Sequence, residues 1–286
     1  MPKTGTPPIQ TPHGAILAAE AMANKLALRP IQHSVANSKW RTEAQRSHAS
    51  PRLLYFTKGQ GRITVAGLTS GYGPNNLIFI PAHTMYGYEA NNSVFGFVLT
   101  IPPAMASEWP KETVHLRLKD VLGQKEMVSH FDALERELKS QKEGHNRAAH
   151  YMLGMLSVFF ERQLKDHPPT EAMARSRTSQ ARLVAAYTDL VERDYGSGKN
   201  VSDYAADLGV TATHLTRCCN HTCGKPALAI LHDRIFYEAR LRLRETKTPV
   251  QNIAKDLGFA SAAYFTRSFL AETGHTPSNF RKLAQA

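Results

Sequence analysis

Long apolar runs are missing from this chain, and that narrows it first. The longest candidate, Tyr151 to Phe160, falls well short of the roughly 20 residues that span a bilayer, so no membrane partner is expected. Near the N-terminus, Lys3 is followed by Thr, Gly and Pro with no apolar core of a secretory signal, and the expected location is the cytoplasm. Cysteine is scarce too: Cys218, Cys219 and Cys223 are crowded into one stretch, which excludes a disulfide framework. With His221 they invite a zinc reading. On a helix, however, positions 219 and 223 share a face while 221 points elsewhere, and small packing residues are the competing reading. Neither a metal nor a cofactor is expected. Acidic residues are outnumbered 24 to 35, a formal charge of +11 that favours a polyanionic partner. The excess is not concentrated, since 14 basic and 10 acidic residues follow Arg177 while 21 and 14 precede Thr178. Charge alone therefore locates no nucleic-acid surface.

The texture of the 286 residues changes several times. Residues 1–31 read as an N-terminal arm with an alanine-rich helical piece, Ala15 to Leu28. Residues 32–110 carry short β-type runs between glycine turns: Leu53 to Thr57, Arg62 to Ala66, Leu77 to Ile80 and Val94 to Thr100. Such spacing predicts an antiparallel sandwich or small barrel. Residues 111–165 turn helical. Met127, Phe131, Leu134 and Leu138 form a seam at helical spacing, and a second helix, Arg147 to Leu164, is apolar on more than one face. Either this pair makes a homodimer through that seam or it packs on the β domain. Residues 166–177, with two prolines and two arginines, read as a linker, and residues 178–286 as an all-helical second domain.

The sharpest signal lies in that second domain. Around Ile253 to Arg281 the sequence predicts a helix opening at Pro249 with Thr248 as its cap, a stop at Gly258, and a second helix capped by Ser261 and ended by Gly274 and Pro277. Two short helices about a glycine turn fit a helix-turn-helix, although an ordinary helical hairpin has the same outline. An internal repeat separates the two readings. Ala205-Ala206-Asp207-Leu208-Gly209 matches Ala254-Lys255-Asp256-Leu257-Gly258, and Leu215-Thr216-Arg217 matches Phe265-Thr266-Arg267. Between the copies, Pro226 to Glu245 predicts one helix, with Leu228, Leu231, Ile235, Ala239 and Leu243 inward and Arg234, Arg240, Arg242 and Arg244 free for solvent or phosphate. Such a rod would hold two reading helices about 34 Å apart, one turn of DNA.

On these motifs, above all Gly258-Phe259, Tyr264-Phe265, Arg267, Phe269, Gly274, Pro277 and Arg281, the chain resembles the AraC/XylS-type transcriptional regulators. The resemblance is close over Thr178 to Arg281 and looser before it. It implies an α+β multidomain protein, with an N-terminal cupin-like β-barrel, a helical dimerisation hairpin and a C-terminal domain of two helix-turn-helix units. It further implies a dimeric regulator of promoter DNA, activating through RNA polymerase under a small-molecule effector, and not an enzyme. Positions facing DNA in the family match Thr213, Thr216 and Arg217 in the first reading helix, and Ala262, Ala263, Thr266 and Arg267 in the second. Each arginine can take guanine by two hydrogen bonds or can grip phosphate. The alanines leave the second helix the poorer reader.

For the effector, the candidates are Arg41, His48, Tyr55, His83, Tyr86, Phe95 and Phe97, with plain core as the competing role of Tyr55, Phe95 and Phe97. Arginine and histidine beside aromatics favour a carboxylate or aromatic acid. A metal-dependent cupin enzyme would need three convergent ligands, which neither His48 nor the Ile80-to-Tyr86 run supplies. A constitutive dimeric regulator without an effector is the other alternative.

Overall fold

A computed structural model describes residues 25–166 and 178–285. The N-terminal arm up to Asn24, and with it most of the expected alanine-rich helix, lies outside the described residues, as does nearly all of the expected linker. The first described element is a strand. Ala27 and Leu28 belong to β1 (Ala27–Pro30), because Leu28 finds Leu99 as its cross-strand partner and pairing overrides the helical preference of alanine-rich sequence.

Seven further strands complete the β domain: β2 (Arg52–Lys58), β3 (Gly61–Val65), β4 (Leu68–Tyr72), β5 (Asn76–Ile80), β6 (Tyr86–Tyr88), β7 (Phe95–Thr100) and β8 (Val114–Arg117). They form an antiparallel five-stranded sheet ordered β1-β7-β2-β5-β8, facing a three-stranded sheet ordered β4-β3-β6. The β domain thus continues past residue 110 to include β8. In β2, Leu54 and Phe56 point between the sheets, while Leu53 and Tyr55 point outward under two helices, α1 (Val121–Lys139) and α2 (His145–Asp166). Because the larger sheet is covered on both faces, β5 reads Asn-Leu-Ile-Phe-Ile, buried throughout, instead of alternating.

This layering corrects the expected dimer seam. Met127, Phe131 and Leu134 are at most 1% exposed, and Leu138 packs beside them. The Phe131 ring lies 5.2 Å from Tyr55 and 5.7 Å from Phe97. These side chains cover the chain's own sheet, at about 1.5 to 3 kcal/mol of burial each, and are not free for a second subunit.

The helical domain runs α3 (Ser179–Asp194), α4 (Val201–Asp207), α5 (Ala212–Cys223), α6 (Ala227–Glu245), α7 (Val250–Asp256), α8 (Ala262–Thr273) and α9 (Pro277–Gln285). Two cores share α6. Ile230 and Leu231 join Val184, Tyr187, Tyr204 and Leu215 in the first, while Phe236, Ala239 and Leu243 join Ile253, Phe265 and Phe269 in the second. Pro249 stands in extended backbone as the N-cap of α7, so that helix begins one residue later than expected and Thr248 does not cap it.

The arginines of α6 also depart from expectation. Arg234 and Arg240 are each only 6% exposed. Arg234 pairs with Glu192 at 2.6 Å and Glu238 at 3.1 Å and lies 3.9 Å over the Tyr195 ring. Arg242 is held by Glu238 and Asp256, and Arg244 by Glu245. Arg234 and Arg240 are thus buried and not left for phosphate, while Arg242 and Arg244 are partly exposed in pairs with carboxylates. Leu228 is half exposed instead of buried, and Ile230 and Phe236 take the core positions.

The two domains are docked. Gly67, between β3 and β4, abuts Val184 of α3, and Met85 joins the first helical core. Asp233 accepts the Gln45 backbone N–H at 3.3 Å. Arg46, buried, bonds the Thr42 carbonyl and lies over Tyr86, Tyr88 and Tyr237 at 4.6, 5.4 and 5.8 Å. Trp40, on a 3-10 turn (Ala36–Arg41), sits beneath Arg240 and packs edge-on to Tyr237 and Phe280.

Candidate nucleic-acid interface

The two copies of the repeat build the same local structure by the same chemistry. Gly209 and Gly258, at φ 68° and 77°, make the turns. The Thr211 hydroxyl then accepts from the His214 N–H at 3.2 Å, and the Ser261 hydroxyl from the Tyr264 N–H at 3.1 Å, each satisfying an otherwise orphan amide at the start of a helix. Gly224 and Gly274, both left-handed, close α5 and α8. One stripe of each helix is buried, Leu215, Cys218 and Cys219 in α5 and Phe265 and Phe269 in α8. The opposite stripe is what remains to meet another molecule.

On α5 that stripe holds Thr213 and Arg217, exposed, with Thr216 half-buried. On α8 it holds Ala263 and Arg267, exposed; Ala262 instead packs partly against the second core, and the Thr266 hydroxyl, half-buried, donates to the Ala262 carbonyl at 2.8 Å. Two neighbours are absent from the sequence expectation, His214 and Tyr264. They occupy equivalent places in the two copies, and extending the repeat across the whole of both helices is the signal that finds them. The cysteines are packing residues: burial above all pushes the Cys219 thiol up to about 12, which leaves it protonated and inert.

The expected effector residues do not gather in one place. Tyr55 and Phe97 lie on the helix-covered side of the large sheet, Phe95 is half exposed beneath Lys58, and Arg41 is exposed beside Trp40. The space between the sheets is filled by side chains such as Phe56, stacked on Tyr72 at 3.7 Å. His48, His83 and Tyr86 do come together: the His48 ring is 5.8 Å from Tyr86, and its carbonyl accepts the His83 N–H at 2.8 Å. Of these three, only His83 lines a cleft of about 380 Å³ at the domain junction, with Ala82 and Thr84 from the same domain and Asp189, Glu192 and Arg193 of α3 from the other.

Comparisons with known proteins divide the chain at the same place as the fold. Residues 33–154 match the family model of the AraC-like ligand binding domain, and residues 204–283 that of a helix-turn-helix domain. The arabinose operon regulatory protein of Salmonella typhimurium is 21% identical over 235 residues, covering 78% of this chain and 80% of the relative. The virulence regulon transcriptional activator VirF of Yersinia enterocolitica is 33% identical over 92 residues, 32% of this chain and 34% of its own length. Among solved structures, ToxT of Vibrio cholerae matches at 11% identity and a TM-score of 0.44, covering 92% of this chain and 99% of that one. A ligand-binding domain of the AraC type joined to a doubled helix-turn-helix domain is the signature of one family, and this chain belongs to it as an AraC-type transcriptional regulator that binds DNA.

Proposed function

We propose that this regulator binds promoter DNA as a homodimer, discriminates bases mainly through α5, and takes a small-molecule effector at the junction of its domains. The observation that carries the reading is the mounting of α5 and α8 on α6, which contributes to the core of both units. At 1.5 Å per residue its 19 residues span about 28 Å, of the order of one turn of DNA. Of the two helices, α5 offers more hydrogen-bonding groups, since Thr266 has already spent its hydroxyl and Ala263 has none. Arg217 is assigned to a base and Arg267 to phosphate. The test is binding of the full chain to operator DNA selected from a random pool. Arg217→Ala should abolish preference at one base pair, whereas Arg267→Ala should weaken all sequences alike and lower the salt slope by about one. The reverse pattern would exchange the two roles.

His83 lines the junction cleft with Arg193, whose guanidinium also pairs with Asp194, and an organic acid is the expected class of effector. Bound there it would touch both domains, and so act by differential affinity for docked and undocked arrangements. A thermal-shift screen of organic acids, repeated on His83→Ala, tests this; a screen without any stabilising compound would favour a constitutive regulator. By analogy with relatives named as activators, bound chain should raise transcription by RNA polymerase from a reporter promoter. With the inner seam of α1 occupied, its outer face, with Val121, Leu122, Lys125, Val128, Asp132 and Arg136, is the surface for a second copy. An antiparallel α1 pair crossing near Val128 sets Lys125 against the partner's Asp132 twice, and sedimentation of a Lys125→Asp variant should show dissociation.

A further inference from the structure

In the first reading helix, one contact goes beyond the family's pattern of exposed residues. Arg217 Nη2 lies 3.0 Å from His214 Nδ1, one turn earlier on α5. A guanidinium has only donors, so in this pair Arg217 donates and Nδ1 accepts. An accepting Nδ1 means a neutral ring carrying its hydrogen on Nε2. That nitrogen faces the Cys218 sulfur at 3.6 Å, and Cys218 is fully buried in the core of the unit. The backbone N–H of His214 is tied in turn to the Thr211 hydroxyl that caps the helix. The imidazole is therefore gripped at both edges, by the core on one side and by Arg217 on the other. Among the described residues no carboxylate pairs with Arg217.

We infer that His214 is a positioning residue for Arg217, aiming its guanidinium at a base pair before DNA arrives. This rests on the assignment of Arg217 to base reading. A long, exposed arginine loses rotamer freedom when it binds, and a partner that already restricts it reduces that loss. The bond uses one N–H of the guanidinium and leaves the others for the paired acceptors on the major-groove edge of guanine. The second unit lacks the device. Tyr264 stands in the equivalent place, its ring packs 5.9 Å from Phe259, and Arg267 has no side-chain partner among the described residues. The difference matches the unequal roles assigned to the two helices, a fixed arginine for a base and a free one for phosphate.

The experiment is a double-mutant cycle in the full chain, with binding measured on the selected operator and on versions altered at each base pair. Arg217→Ala should cost about 10- to 100-fold at one base pair. His214→Ala should cost about fivefold at that same base pair, and add little in the Arg217→Ala background, because the two act as one unit. His214→Asn, whose side-chain oxygen stands close to the place of Nδ1, should restore most of the loss; a merely structural histidine would not be rescued in this base-specific way. Independent effects of the two alanine variants, or an unchanged preference in His214→Ala, would overturn the inference while leaving Arg217 as a reader. A uniform effect of Arg217→Ala across all sequences would overturn the base-reading assignment and the positioning role with it.

Discussion

Gly67 and Val184 meet at the domain junction with no room for a side chain between them, since a Cβ on Gly67 would overlap the Val184 Cγ1 methyl. Gly67 is also left-handed, at φ 70°. Gly67→Ala therefore combines a backbone penalty of about 1 to 2 kcal/mol with a clash that pushes the hairpin off α3. The expected outcome is a lower unfolding midpoint and separate melting of the two domains. Gly71→Ala, on the same hairpin, meets nothing nearer than 3.9 Å and should leave the melt unchanged.

Trp40 anchors the other end of the junction. Its ring lies 5.5 Å from the Arg240 guanidinium and 5.9 Å from that of Arg244, with Tyr237 and Phe280 at its edges. Arg240 is buried with no carboxylate bonded to it among the described residues, and burial holds its pKa below the usual arginine value. Trp40→Ala removes the aromatic face that stabilises this charge, at about 1 to 2 kcal/mol. Limited proteolysis should then cut between the domains sooner, while the helical content seen by circular dichroism stays the same.

The residues that form the reading helices are legible in the sequence because their structure is local. Caps, glycine stops and an apolar stripe are all written within a dozen residues, and the repeat states them twice. The junction is not legible. Trp40, Arg46, Gly67 and Met85 become partners of α3 and α6 only through contacts far apart in the chain, and nothing in the periodicity of either domain marks them. The seam of α1 is visible as an apolar stripe, but periodicity reports that a face is buried and not what buries it. For the same reason Tyr55 and Phe97 resemble pocket residues in the sequence: alternation along a strand gives two faces, and here both are covered. The arginines of α6 mislead because charge suggests solvent, whereas Glu192, Glu238 and Tyr195 make a buried site for Arg234.

Acid should loosen the junction through His48. Burial first, then the charges of Arg52, Arg46 and Arg234, push its imidazole well below the ordinary 6.5. Between those two values the unfolded chain binds the proton and the folded chain does not, so falling pH favours unfolding. The stability associated with neutral His48 is complete above about 6.5 and is lost as pH falls toward the depressed value. Since Arg234 belongs to the helical domain, separating the domains relieves part of the repulsion. The unfolding midpoint should drop between about pH 7 and about pH 5, and His48→Gln should drop less steeply over the same range. Equal slopes would remove His48 as the cause.

The equivalent turn glycines of the repeat, Gly209 and Gly258, differ in what surrounds them. Both are left-handed, at φ 68° and 77°. Around Gly209 there is open space, whereas a Cβ on Gly258 would run into the backbone of Gly198 and come within 2.9 Å of the Gly196 carbonyl oxygen. The second turn is wedged against the Gly196-Ser197-Gly198 loop that ends the first helix of the domain, and backbone atoms there cannot rotate aside as a side-chain tip could. Gly209→Ala should therefore cost only the left-handed penalty, about 1 to 2 kcal/mol, and Gly209→Asn less, because asparagine tolerates this conformation. Gly258→Ala adds the displacement of packed backbone, for a total of about 3 kcal/mol or more, and Gly258→Asn should give no relief. Chemical unfolding of the four variants reads the contrast directly. If alanine costs the same at both positions, the packing of the second turn on Gly198 contributes nothing and the two copies of the repeat are equivalent in energy as well as in sequence.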